Sequence, residues 1–238
     1  MPKIKMSKSS PSLDMTPMVD LAFLLVTFFM LTATMRAPEP VIVDTPASIS
    51  DLLLPKNTML LTVDTAGRVF INIEGNEVRR KTLEGMLNRM HDRYPDVKFN
   101  EDQVRKFSAM QSFGVPFDQL PAYIDADEAG RKKMDDASKG IPMDTAKAGP
   151  GGVLNTELYL WINIARAQEY VWRKEQEAQG KTGLEELRFA LKADGDAQYK
   201  KIDAIVAIFQ KQTPPINRFN LITDLESDPN DAAPAPAK

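Results

Sequence analysis

The 238-residue sequence has no cysteine and a single histidine, His91. The first absence removes thiol catalysis, disulfides and cysteine-based metal sites together. The second excludes a histidine metal cluster and leaves no Ser/His/Asp arrangement to assemble. A net charge of −3 supplies no long-range pull toward nucleic acid or an anionic membrane face. No cofactor and no metal site is expected, and the chain is read as something other than an enzyme.

Nucleotide and calcium motifs are also missing once their spacing is checked. Gly180-Lys181-Thr182 resembles the end of a P-loop, but Glu175 stands where the first glycine belongs and a helical pattern precedes it. Asp125-x-Asp127-x-Ala129-Gly130 echoes a calcium loop. Its fifth position is Ala129, its twelfth is Asp136, and Arg131, Lys132 and Lys133 put positive charge where a cation would sit. Helix capping by Asp125 or Asp127 accounts for those acids better.

What the chain does have is one long apolar run. From Met18 to Met35 the only charge is Asp20, and there is no glycine or proline. At about 1.5 Å per residue the run makes a helix of roughly 27 Å, close to the thickness of a hydrocarbon core. In lipid its backbone groups must find partners internally, so it is helical. A cleaved signal peptide fits less well, because the run is long, contains an acid and lacks a small-x-small cleavage site. Lys3, Lys5 and Lys8 precede it without a balancing acid, so the positive-inside rule keeps the amino terminus in the cytoplasm and residues 36–238 outside.

Thr16 and Pro17 read as N-cap and N1 of this helix. Asp20 then lies about one turn in. The helix N-terminus favours its ionised form and bilayer desolvation its neutral form, and a proton carrier needs access to both. Asp20, Thr27 and Thr34 recur every seven residues, interleaved with Leu24 and Leu31. That is a narrow polar face suited to packing against protein. Alternatively, the threonine hydroxyls bond back to their own helix carbonyls.

Thr16-Pro17-Met18-Val19-Asp20, opening a lone amino-terminal membrane helix with Phe28 and Phe29 in its middle, resembles the ExbD/TolR family. The resemblance implies a proton-driven inner-membrane motor or stator subunit with a small periplasmic α+β domain, energised by the proton gradient. It implies Asp20 as the proton-carrying residue. The partners implied are a multi-pass ExbB/TolQ-like protein, a TonB-like or TolA-like periplasm-spanning protein, and a second copy of the chain. Asp14, where many members carry Asn, receives no role.

Residues 1–13 read as a cytoplasmic tail and 14–35 as the membrane helix. Residues 36–58, with Pro38, Pro40, Pro46 and Pro55, read as a periplasmic linker holding a short strand candidate, Val41-Ile42-Val43. Met59–Asp64 and Arg68–Ile73 predict a β-hairpin, and Val78–Arg93 an amphipathic helix. Leu187–Lys192, Lys200–Gln212 and Phe219–Thr223 predict strand, helix and strand. Residues 59–95 and 184–224 therefore compose an α+β domain with helices on one face of a small mixed sheet, an order that also resembles the family's periplasmic domain. Between them, residues 96–183 form a mainly helical insertion with helices over Asp102–Gln111, Asp127–Ser138 and Asn155–Ala178. The last carries a stripe of Leu160, Ile164, Ala167 and Val171, with Trp161 and Trp172 on a neighbouring face. Those tryptophans serve either the core or a docking face. Residues 225–238 read as a disordered tail. An anchored module that binds peptidoglycan or envelope proteins through the insertion is the alternative to the motor.

Overall fold

A computed structural model describes residues 15–32, 41, 43–45, 47–48, 57–144, 152–222 and 224–225. The chain divides into two units, residues 1–38 and 39–238. In the first, helix α1 covers Met15–Thr32. It starts at Met15, so Thr16 and Pro17 lie within its first turn. Proline is tolerated there because first-turn N–H groups have no intrahelical acceptor.

The second unit is built on a five-stranded mixed sheet. Strands β2 (Thr58–Val63) and β3 (Val69–Ile73) pair antiparallel, in register from Met59 opposite Ile73 to Val63 opposite Val69. Strand β5 (Arg188–Ala193) lies parallel to β2, and β6 (Asn220–Ile222) parallel to β5. Alternate residues Met59, Leu61, Val63, Val69, Ile71, Ile73, Phe189 and Leu191 are buried on one face, as a period of two requires. On the other face Leu60, Thr62, Asn72 and Lys192 are half-buried. Helix α2 (Asn76–Met90) buries Val78, Leu83, Met86 and Met90, and α7 (Tyr199–Lys211) buries Ile205, Ile208 and Phe209. The expected α+β architecture is present.

Segment 96–183 is helical and belongs to the same hydrophobic core. Helix α3 (Glu101–Ala109) opens with a capping box between Asn100 and Gln103. A two-residue strand, β4 (Ser112–Phe113), then pairs with β3 and becomes the far edge of the sheet. Helices α4 (Leu120–Asp125) and α5 (Glu128–Ala137) follow. Asp127 caps α5 by accepting the Gly130 N–H at 2.9 Å, whereas Asp125 accepts from Gln103 Nε2 at 2.6 Å and ties α4 to α3. At Gly140, φ is +74° and an added Cβ would sit 2.5 Å from the Val69 nitrogen, so only glycine lets this turn lie against β3.

Helix α6 (Glu157–Ala178) is capped by Thr156. Its buried residues are Glu157, Leu158, Trp161, Ile162, Ala165 and Glu169, beside Tyr159 and Leu160. The expected stripe is therefore displaced. Ala167 and Val171 are exposed, because the buried phase runs 158, 161/162, 165, 169 and includes a charged residue. Gly85 of α2 lies against α6, where a Cβ would meet Ile164 Cγ2 at 2.6 Å. Trp161 is fully buried against Phe107, Phe113 and Phe117, with ring centroids 4.9–6.3 Å away. That placement settles its role as core. Trp172 is half-buried at the edge of the same core.

The linker differs from expectation in one place. Val41 and Val43 are not in a strand, and Ile42 lies outside the described residues. The backbone here bonds to a turn instead: Asp44 N–H donates to Asp194 Oδ2 at 3.1 Å, and Gly195 N–H donates to the Asp44 carbonyl at 2.8 Å. The strand comes later, as β1 (Ala47–Ser48), parallel to β7 (Asp224–Leu225). Pairing thus continues one residue into the segment read as a tail.

Candidate functional site

Helix α1 is where the sequence places its chemistry. Its 18 residues have a mean hydropathy of 1.8, and none is buried. Among the described residues it is the one helix long and apolar enough to cross a membrane. Leu31 is 87% exposed and Met30 80%, an apolar surface that water does not favour. Asp20 is the sixth residue of the helix and its only charged one, about 8 Å along the axis from Met15.

Leu24, Thr27 and Leu31 stand four, seven and eleven positions beyond Asp20 and share its side of the helix. Thr27 is the one half-buried residue of α1, and its hydroxyl donates to the Leu24 carbonyl at 2.9 Å. Thr32 does the same toward Phe28 at 2.8 Å. For Thr27, then, back-bonding to the helix is realised. Thr34 lies outside the described residues. The structure therefore brings Asp20 and Thr27 to one face without joining them by a bond.

A protein-family model described as biopolymer transport protein ExbD/TolR matches residues 6–131, just over half of the chain. This chain belongs to the ExbD/TolR family. The matched range takes in α1, β2, β3 and α2, and ends inside the segment read as an insertion, at the start of α5. The chain is also similar to the biopolymer transport protein ExbD of Aquifex aeolicus (strain VF5), with 26% identity over 117 residues, covering 49% of this chain and 84% of that protein. No solved structure matches it. Among the described residues no group of three or more His, Asp or Glu side chains could hold a metal ion.

The folded unit of this ExbD/TolR member holds polar sites that sequence reasoning missed. Three carboxylates on segment 96–183 are 2–3% exposed: Asp135, Glu157 and Glu169. Burial pushes each above the usual carboxylate range, Asp135 to about 6. Glu157 accepts from Tyr94 Oη and from the Phe117 N–H, both at 3.0 Å. Burial and this carboxylate in turn push the Tyr94 phenol up to about 12. Glu169 accepts from Asn57 Nδ2 and Arg173 Nε, both at 3.1 Å, which pins α6 to the start of β2. One signal was available in the sequence for Glu169: it stands four residues after the buried Ala165, in phase with the core stripe.

Beside that pair lies an open groove of about 760 Å³, between the outer half of α6 and residues 213–218. Arg166, Tyr170, Leu187, Pro214 and Arg218 line it. Arg166 Nη1 donates to the Pro214 carbonyl at 2.7 Å, so one wall is tied to the other. Pairing between β5 and β6 begins at Ala190, and Phe189 of β5, buried against Phe209, contributes to the floor of this groove.

Proposed function

We propose that this chain is the proton-carrying, single-pass subunit of an inner-membrane motor driven by the proton gradient. Asp20 takes up a proton from the periplasmic side and releases it to the cytoplasm. The neutral acid lets its face of α1 meet apolar surface, while the ionised acid seeks polar groups of a multi-pass ExbB/TolQ-like partner. Alternation between those states moves the partner relative to α1. The periplasmic unit passes that motion to a TonB-like or TolA-like protein, and two copies of the chain act together. The amino terminus is cytoplasmic, in keeping with Lys3, Lys5 and Lys8.

The observation that carries this reading is a lone carboxylate inside an 18-residue apolar helix at the start of a chain of this family. Such an acid costs several kcal/mol in lipid unless it is neutralised or paired, and the chain retains it. Asp20→Asn preserves shape and removes the titration. The variant is expected to assemble with its multi-pass partner and to lose energised transport; transport at the normal rate would overturn the reading.

A second reading, an anchored module that binds an envelope component, draws on the groove beside α6. Deleting 96–183 is no clean test of it, because that segment supplies β4 and a share of the common core. Arg166→Ala with Arg218→Ala tests it instead. An anchor fails with those substitutions and tolerates Asp20→Leu, whereas a motor has the reverse dependence.

A further inference from the structure

Asp135 sits on α5 with two unlike oxygens. Oδ2 accepts the Tyr123 hydroxyl from α4 at 2.9 Å, and Oδ1 is buried without a hydrogen-bond partner among the described residues. An ionised carboxylate has about four acceptor sites to satisfy, and leaving one oxygen bare in a core favours the neutral acid.

The charged and titratable groups around it do not repair the deficit. From the β2–β3 turn, Arg68 directs Nη1 to the main-chain carbonyls of Asp135 and Asp136 at 2.7 and 3.0 Å, and Nε to Asp64 at 2.6 Å. From α5 itself, Arg131 donates to the Tyr123 and Ile124 carbonyls, both at 3.2 Å. Both guanidiniums attract the Asp135 charge from a distance, and neighbouring Asp136 repels it. Tyr123 is held well above the usual phenol range by burial and then by Asp135, so it stays a donor at any physiological pH.

We propose that Asp135 is a proton-operated latch on segment 96–183, closed when its carboxyl is neutral and weakened when it is ionised. In the closed state α5 is clamped between Tyr123 of α4 and Arg68 of the β2–β3 turn. Ionisation favours conformers in which α5 lifts, water reaches Oδ1, and Arg68 loses the two carbonyls at the end of the helix. The latch thereby links a proton taken up outside the membrane segment to the turn joining two central strands. Its use as a reader of the proton gradient rests on the orientation proposed above; the latch itself does not.

The sign follows from burial. Asp135 titrates near 6 when closed and near 4 when exposed, so opening releases a proton between those values. In the full-length protein in detergent, the opening constant of α5 is read from amide hydrogen exchange corrected for intrinsic rates. It is expected to rise about tenfold per pH unit from about pH 4 to 6, and to level off above about 7. Asp135→Asn should abolish that rise. A variant with the same pH dependence as the parent would overturn the proposal. Should Asp135→Asn fail to fold, Tyr123→Phe removes the one hydroxyl that favours the ionised form and should move the plateau to higher pH; an unmoved plateau overturns the latch. No gradient or partner is present in this assay, so its failure would leave the role of Asp20 untouched.

Discussion

Two regions of this protein hold carboxylates in opposite settings. Asp20 stands on an apolar helix with no buried residue, and in the motor proposed above lipid and a partner chain surround it. Glu157 and Glu169 are 2–3% exposed and have partners supplied by their own domain: a tyrosine and a main-chain N–H for one, an asparagine and an arginine for the other. The lesson concerns completeness. An acid solvated by its own fold holds a structure together, while an acid left for others to solvate is free to change partner during a cycle. Asp135 falls between them, with one oxygen served and one not.

The largest effect that would sharpen this contrast is functional. Asp20→Asn should remove energised transport while leaving the unfolding of residues 39–238 unchanged, as followed by tryptophan fluorescence. A matching loss of domain stability would break the comparison.

Next comes Trp161→Ala, which empties the centre of the aromatic cluster with Phe107, Phe113 and Phe117. It should cost about 3–5 kcal/mol in denaturant unfolding. Because that cluster belongs to segment 96–183 but shares a core with the sheet, a single cooperative transition should move as a whole. A separate transition for this segment would show that it folds independently of the sheet.

Arg173→Ala should cost about 3 kcal/mol near pH 7, since it strips a charged partner from a buried carboxylate. Glu169 is already raised by burial, so it accepts a proton more readily in the fold than in the unfolded chain. The penalty should therefore shrink as pH falls, and a penalty independent of pH would argue that Glu169 is neutral throughout. Thr27→Val should change least. Its hydroxyl bonds within α1, so assembly and transport should stay near the parent level; a large defect would place that hydroxyl in a contact with the partner.

Much of the molecule was legible from the residues because local pattern and tertiary structure agree. Helix α1 announces itself by composition, and Asp20 by being out of place within it. The hairpin β2–β3, helices α2 and α7, and strand β5 follow their apolar periods. The rest depends on distant pairing. Strand β4 and the β1–β7 pair are two residues each, too short for any period, and exist because another segment arrives beside them. The buried acids were hidden for a different reason. A charged residue reads as solvent-facing unless all its partners are known, and beside the nearby Arg173 a second partner of Glu169, Asn57, lies 112 residues away. That misreading also displaced the α6 stripe onto Ala167 and Val171.

The β1–β7 pair has a mechanical consequence. Its two strands run parallel, so the end where the chain enters β1, at Ala47, is the same end where it enters β7 after β6, at Asp224. Tension carried along the linker against the anchored sheet would load the pair at that shared end. Its rungs then separate in succession instead of sharing the load, which makes this a zipper that peels at low force. Ahead of it, the two hydrogen bonds that join Asp44 to Asp194 and Gly195 form the first point of attachment the pull would meet. A tether fastened this way yields at its fastening before the sheet it is fastened to.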